Sequence, residues 1–192
     1  MVNRMPPSAS RQRGALMIEV LITIVVCVIG LWGLTEVQSR LQMSEVESYQ
    51  RSQALMLLDD MSTRIELNRI NAASYVTGSA NPLGTGITCS TNTSSLAQRD
   101  AGEWCNLLQG VAEATSGSAR VGAMLGARGC VENIGTNRYM ITVAWQGMAP
   151  LTAPPSSVAC GANAFDTNGT ACVNDLCRRA ITTVVRIGNL AS

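Results

Sequence analysis

The feature that most constrains this chain is an apolar run near its N-terminus, from Ala15 to Leu34. The run contains only two polar side chains, Glu19 and Thr23, and no Pro. A segment of about 20 predominantly apolar residues is long enough to cross a bilayer as a helix, since each residue adds about 1.5 Å. The run therefore predicts a membrane-spanning helix over residues 15–35.

The charge that flanks this run predicts its orientation. The first 14 residues contain Arg4, Arg11 and Arg13 and no acidic residue. Because basic flanks stay in the cytoplasm, the rest of the chain is expected on the opposite side of the membrane. A secretory signal peptide is the alternative, but its small cleavage residue would follow the apolar core. Here Gly14 precedes the core, and the charge of Glu19 is costly in hydrocarbon.

The cysteines lead independently to the same compartment. Cys27 lies in the apolar run, and six more are confined to the last 104 residues of the 192: Cys89, Cys105, Cys130, Cys160, Cys172 and Cys177. An even set in one region indicates three disulfides formed under oxidising conditions. Sequence does not select among the 15 pairings, although local geometry favours Cys89–Cys105. The other four are expected to staple a long connection to a sheet. A zinc site is the alternative, but no Cys-x2-Cys pair exists.

Composition also excludes several kinds of function. The chain has no His, which rules out Ser-His-Asp and Cys-His catalysis and His-ligated metal sites within it. Its formal net charge of +1 gives no reason to expect nucleic acid as a partner. We expect no catalytic residue, metal or cofactor. The segment Asp166–Thr170 weakly resembles a calcium loop, but its ligands are too few, and a polar turn is the better interpretation.

Helical periodicity continues beyond the membrane run. Four apolar residues step by four, three and four and form one stripe: Ala54, Leu58, Met61 and Ile65. No Pro or Gly interrupts residues 34–77, and Gly78 offers a stop. The pattern predicts one helix from about Ala15 to about Tyr75. Its second half, 36–77, is amphipathic and lies against a globular head, 78–192.

The remaining segments predict a mixed head. The capping box Ser95-x-x-Gln98, followed by helical spacing from Trp104, predicts a short helix at about 95–113. Alternation along Tyr139–Trp145 and again from Ile181 to Ile187 predicts two strands. Residues 130–132 form a candidate third, and 148–177 a long connection rich in Pro, Gly and Cys. The expected fold is α+β, with a small antiparallel sheet packed on the long helix.

One motif joins these features. Residues 13–20 read Arg-Gly-Ala-Leu-Met-Ile-Glu-Val, so that Glu19 lies five residues past Gly14. This pattern resembles the class III signal of type IV prepilins: a basic leader, a Gly, an apolar run and a Glu at that spacing. The family usually has Phe after the Gly, whereas this chain has Ala15. The resemblance implies the type IV pilin fold.

A second resemblance covers most of the chain. The helix residues 49–54, with Asp60-Met61, Arg64-Ile65 and Asn68, are similar to the signature of PilV-type minor pilins. Later segments are similar more weakly: Asp100 with Trp104, then 128–132, then 139–147. The segment 148–177 has no clear counterpart. A solvated face on an ordinary helix is the alternative interpretation of the signature.

The resemblance implies a set of roles. A prepilin peptidase would remove residues 1–14 by cutting between Gly14 and Ala15, and would methylate the new amine of Ala15. Glu19 would act in assembly, and the helix would pack with those of other minor and major pilins. The minor-pilin set would prime the pilus and present a PilY-type tip adhesin.

Two alternatives stay open at this stage. A pseudopilin of a type II secretion system shares the leader and the long helix, and neighbouring genes would distinguish it. A single-pass membrane enzyme with a periplasmic domain is the other, and it would require an uncleaved leader and substrate turnover by the head.

Overall fold

The computed structural model describes residues 12–111 and 124–188, with side chains described from Leu16 onward. The chain divides into two compact units, Met1–Glu45 and Val46–Ser192. The first unit contributes the beginning of helix α1, Gln12–Leu67, which continues into the second. The fold is α+β, with a long N-terminal helix, a small antiparallel sheet and three disulfides.

Helix α1 differs from its predicted bounds at both ends. It begins at Gln12 instead of Ala15, and it ends at Leu67 instead of Tyr75. A 3₁₀ helix, Arg69–Tyr75, follows it. The α-helix stops because Asn68 leaves the helical conformation, with φ −113° and ψ 41°, while its side-chain amide donates to the Tyr75 hydroxyl. The tighter coil brings Ala72 and Tyr75 into the core.

The head contains a four-stranded sheet in the order β1-β2-β3-β4, with every neighbouring pair antiparallel. Its strands are β1 (Leu83–Gly84), β2 (Arg128–Gly135), β3 (Arg138–Gln146) and β4 (Arg178–Arg186). Strand β1 was not predicted, because two residues carry no periodicity. Strand β2 is longer than the predicted 130–132. A two-residue turn joins β2 to β3, and its second residue, Asn137, has a positive φ of 52°, which Asn tolerates better than most residues.

Helix α2, Leu96–Leu108, begins at the predicted cap: the Ser95 hydroxyl accepts from the Gln98 amide at 3.2 Å. It ends five residues before the predicted 113, where Gly110 takes a φ of +72°. Glycines in the left-handed region commonly terminate helices. Residues 112–123, which follow, lie outside the described residues.

One hydrophobic cluster joins α1, α2 and the inner face of the sheet. The predicted α1 stripe is buried, with Ala54 and Ile65 at 0 % exposure. The cluster also contains residues of α2 and the alternating residues of the strands: Trp104, Leu108, Val131, Tyr139, Ile141, Val143, Trp145 and Val185. Within the second unit, the sheet therefore packs on the stripe that the periodicity predicted.

The outer face of the sheet is covered as well, although only in part. Thr142 and Ala144 are fully buried, and they alternate with the inner-facing residues of β3. The cover comes from the connection between β3 and β4, whose Gly161 lies over Ala144. The disulfide Cys130–Cys160 ties this connection to β2, as expected. Cys172–Cys177 instead closes a short loop within the connection. Cys89–Cys105 is the bridge that local geometry favoured.

A charge in the α1 stripe is expected to unfold the head. Ile65→Asp would place a carboxylate at a fully buried position and is expected to lower the free energy of unfolding by about 4 kcal/mol. Met56→Asp is the matched control, because Met56 is 63 % exposed on the same helix. Thermal unfolding of the full chain in detergent measures both. Equal melting temperatures for the two variants would contradict the packing.

The two disulfides of the connection are expected to differ in their contribution to the free energy of unfolding. Cys130–Cys160 closes 30 residues and Cys172–Cys177 closes 5. Loop entropy then assigns about 3.6 kcal/mol to the first and about 2 kcal/mol to the second. Replacing each pair by Ser and measuring unfolding in denaturant tests the order, after non-reducing peptide mapping has verified the pairings. A larger loss for the Cys172–Cys177 pair would reverse this conclusion.

Candidate functional site

The predicted processing junction lies at the start of α1. Gly14 and Ala15 are the third and fourth residues of this helix, so the bond between them lies in its first turn. The leader residues 1–11, with Pro6-Pro7, lie outside the described residues. Cleavage at this bond and methylation of Ala15 stay predictions.

Glu19 follows one turn later in apolar and exposed surroundings. Every large apolar side chain from Leu16 to Leu34 is at least 48 % exposed, the lowest being Val25. By length and composition, this helix is apolar enough to cross a membrane. Within the described part of the chain, the Glu19 carboxylate has no hydrogen bond or ion pair. Its compensation in a low-dielectric environment must therefore come from a group beyond these residues.

In the head, Arg64 of α1 joins α1 to α2. Its Nε donates to Asp60 Oδ2 at 2.9 Å, and its Nη1 reaches Asp100 Oδ1 at 3.1 Å and Glu103 Oε2 at 2.7 Å. Burial alone would lower the pKa of Arg64, but its hydrogen bonds to Glu103 and Asp60 raise it instead. The hydrogen bond from Arg64 lowers the pKa of Glu103. One cation thus holds two acids of α2 against α1.

Tyr75 extends this network into the core. Its hydroxyl donates to Asp100 Oδ2 at 2.5 Å and accepts from the Asn68 amide at 3.1 Å. Burial raises the pKa of Tyr75 to about 12, and the hydrogen bond to Asp100 adds to the effect. Asp100 itself is 5 % exposed, so both of its oxygens need these partners. The network therefore also fixes the 3₁₀ turn that carries Tyr75.

Trp104 makes the neighbouring contact between the two helices. Its indole Nε1 donates to the Leu57 carbonyl at 2.8 Å, and its ring packs on the backbone of Gly129. A Cβ at Gly129 would lie 2.2 Å from the Trp104 ring, so only Gly fits. Gly102 is constrained similarly, because a Cβ there would lie 2.2 Å from the Ser90 carbonyl oxygen.

These contacts explain several of the residues singled out from the sequence. Asp60, Arg64 and Asn68 lie at intervals of four along the chain, and the structure brings them together with the distant Asp100 and Trp104 at the α1–α2 contact. The alternative interpretation, a solvated face of an ordinary helix, does not fit Arg64, whose side chain is only 21 % exposed. It does fit Tyr49, which is 46 % exposed and bonded to Gln53. Sequence reasoning missed Tyr75 and Glu103. The spacing of Asp100 and Glu103 on one helix face was the available signal for Glu103.

A second ionic contact ties α1 to the edge of the sheet. Arg179 Nε lies 2.6 Å from Glu47 Oε1, and its Nη2 donates to the Ala149 carbonyl at 2.7 Å. Gly147 allows this, because a Cβ there would lie 2.7 Å from the Arg179 guanidinium carbon. Beside the pair is a cleft of about 390 Å³, which Arg51 and Trp145 also line.

The connection over the outer face is held by Arg178, which is 2 % exposed. Its Nη1 donates to the Val158 and Cys160 carbonyls, and its Nη2 pairs with Asp175 at 2.9 Å. The weak calcium-loop resemblance at Asp166 has a structural explanation: this carboxylate accepts from the Asp175 amide at 2.9 Å. Residues 12–111 and 124–188 contain no group of three or more His, Cys, Asp or Glu placed to hold a metal ion.

No protein-family model matches this chain, and no curated protein or solved structure is significantly similar to it.

The Tyr75–Asp100 bond predicts a dependence of stability on alkaline pH. The folded-state pKa of Tyr75 is raised to about 12, so its stabilisation is complete below the unfolded value of about 10 and is lost as pH rises through 12. We expect Tyr75→Phe to be less stable at pH 7 and to lose about 2 kcal/mol less than wild type between pH 10 and 12. Tyr49→Phe is the exposed control, and urea unfolding is the measurement. Parallel wild-type and Tyr75→Phe profiles would contradict the assignment.

Proposed function

We propose that this chain is a subunit of a type IV pilus, specifically a PilV-type minor pilin. The precursor would sit in the inner membrane with its N-terminus in the cytoplasm and its head in the periplasm. A prepilin peptidase would cut between Gly14 and Ala15. The mature subunit would then join other minor and major pilins, prime assembly and help present a PilY-type tip adhesin.

One observation carries this proposal: the Gly14–Glu19 motif opens a helix whose apolar side chains from Leu16 to Leu34 are all exposed. An apolar surface of this extent needs a non-aqueous environment. The bilayer supplies one before assembly. The corresponding helices of neighbouring subunits would supply the other in the filament, where they replace lipid.

Glu19 would help to align the helix when neighbouring subunits replace lipid around it. A carboxylate within hydrocarbon costs about 2.5–3.5 kcal/mol at the centre of a helix and less near its end. The run from Ala15 to Leu34 contains no basic side chain. Cleavage after Gly14 would create a positive amine at Ala15, one turn away from Glu19. In a low dielectric the amine of the same or a neighbouring subunit would attract this carboxylate strongly and align the incoming helix.

The head has features that suit a domain exposed in an oxidising compartment outside the membrane. Three disulfides, the Arg64 network and the Arg178-held connection restrain its segments, and disulfides persist in oxidising compartments. A minor pilin needs such a head because contacts to other tip subunits require fixed geometry.

We expect Glu19→Ala to be cleaved and inserted normally but to enter filaments at least tenfold less than wild type, because the docking charge is absent. Glu19→Gln, which keeps the size and loses the charge, is expected to behave in the same way. Glu36→Ala is the matched control on the same helix, since Glu36 pairs only with Arg40 among the described residues. Immunoblots of cells and of sheared pili measure processing and incorporation.

Gly14→Leu separates cleavage from docking, because a bulky residue at the junction is expected to leave the precursor uncut. Wild-type incorporation of the Glu19→Ala protein would refute the docking role. Normal pili with failed protein secretion in a deletion strain would instead assign the chain to a type II secretion pseudopilus. An uncleaved wild-type chain would refute both.

A further inference from the structure

Two arginines lie directly opposite each other at one end of the sheet. The β3–β4 register pairs Arg138 with Arg186, and both residues are exposed. Among the residues that the structure describes, neither guanidinium has an ion pair or hydrogen bond. Like charges directly opposite each other across an antiparallel pair are destabilising. The fold therefore carries an uncompensated local cost at this position.

The next pair on the same face is apolar and incompletely covered. Met140 lies opposite Val184, and Val184 is 43 % exposed. In the following pair, Thr142 of β3 is fully buried, whereas its partner Thr182 of β4 is exposed. On β3 the cover thus ends between Thr142 and Met140. We call the four residues beyond it the arginine patch: Arg138, Met140, Val184 and Arg186.

The described residues near the arginine patch form no ion pair with its two arginines. The adjacent strand β2 places Glu132 opposite Met140 and Gly135 opposite Arg138. The described part of the chain has no ion pair between Glu132 and either arginine. The patch therefore combines two cations that have no ion pair among the described residues with apolar side chains that are only partly covered.

We propose that the arginine patch is a docking surface for an acidic segment of a partner protein. The carboxylates of that segment would pair with Arg138 and Arg186, and an apolar side chain next to them would cover Met140 and Val184, the next pair along the strands. Arginine suits this role because its guanidinium binds a carboxylate through two parallel hydrogen bonds. Binding would also remove the repulsion between the two cations, so the site is less stable free than occupied.

A peptide-binding measurement tests this with the full chain in neutral detergent. The probes are fluorescein-labelled, capped peptides of the sequences Glu-Val-Glu-Val-Glu, Lys-Val-Lys-Val-Lys and Glu-Ser-Glu-Ser-Glu. We expect the first to bind at least tenfold more tightly than the second, because of charge, and more tightly than the third, because of the apolar contact. The assay needs neither cleavage nor a filament, so its result is independent of the proposed function.

Charge reversal provides the sharper test. Arg138→Glu with Arg186→Glu is expected to exchange the preference, so that the lysine peptide binds at least tenfold better than the first glutamate peptide. Arg69→Glu, at an exposed arginine of the 3₁₀ helix, is the matched control and should leave the preference unchanged.

Thermal stability supplies a second readout that a simple folding defect would not reproduce. The single variant Arg186→Glu would convert the repulsive pair into an attractive one, and it is expected to raise the melting temperature by about 2 °C while peptide affinity falls. A lower melting temperature would show that the repulsion is not present.

The remaining outcomes overturn the proposal. If the wild-type protein bound the glutamate and lysine peptides with affinities within threefold of each other, the proposed acidic partner would be refuted. An unchanged peptide preference in the double variant would refute it as well. Dihexanoyl phosphatidylglycerol, a soluble anionic lipid, is the competitor: displacement of the peptide at lower concentrations than unlabelled peptide requires would assign the patch to lipid. Failure to displace supports a protein partner.

Discussion

The Arg64 guanidinium is the contact on which the arrangement of the head depends. It holds Asp60 of its own helix and Asp100 and Glu103 of α2, and Asp100 then holds Tyr75. A buried carboxylate without partners is costly, so each member of this group restricts the positions of the others. This one network holds α1 against α2 and, through Tyr75, holds the 3₁₀ turn.

The sheet depends on cover from both sides. Its inner face packs on α1 and α2, whereas its outer face is covered by a connection without helix or strand. Irregular backbone has little packing of its own, which is why Cys130–Cys160 and the hydrogen bonds of Arg178 are needed to hold it. Because the cover ends before Met140 on β3, part of the outer face stays exposed.

The apolar part of α1 follows different rules from the head. Its large apolar side chains from Leu16 to Leu34 are exposed, so its stability as a helix depends on satisfied backbone hydrogen bonds in an apolar environment. Glu19 is the exception to this uniform surface. In the proposed pilus subunit, this single carboxylate would set the position of each helix along its neighbours, which apolar contacts alone do not specify.

Features that depend on local pattern could be predicted from the sequence. The apolar run, the stripe from Ala54 to Ile65, the cap at Ser95 and the alternation of β3 each follow from periods of 3.6 or 2 and from short-range hydrogen bonding. The proposed processing junction also depends on adjacent residues alone. The bounds of α1 were less well predicted, because Asn68 ends it through a contact with Tyr75.

The contacts between residues that are distant in sequence depend on the folding of the whole head. The grouping of Arg64 with Asp100, the requirement for Gly at 129 and the pairing of Cys130 with Cys160 depend on how α2 and the connection pack. The opposition of Arg138 and Arg186 depends on a register set across a 31-residue connection between strands, 147–177. Sequence periodicity shows which face a residue occupies within its own element. It does not show which residue of another element lies opposite, because that follows from packing the whole core at once.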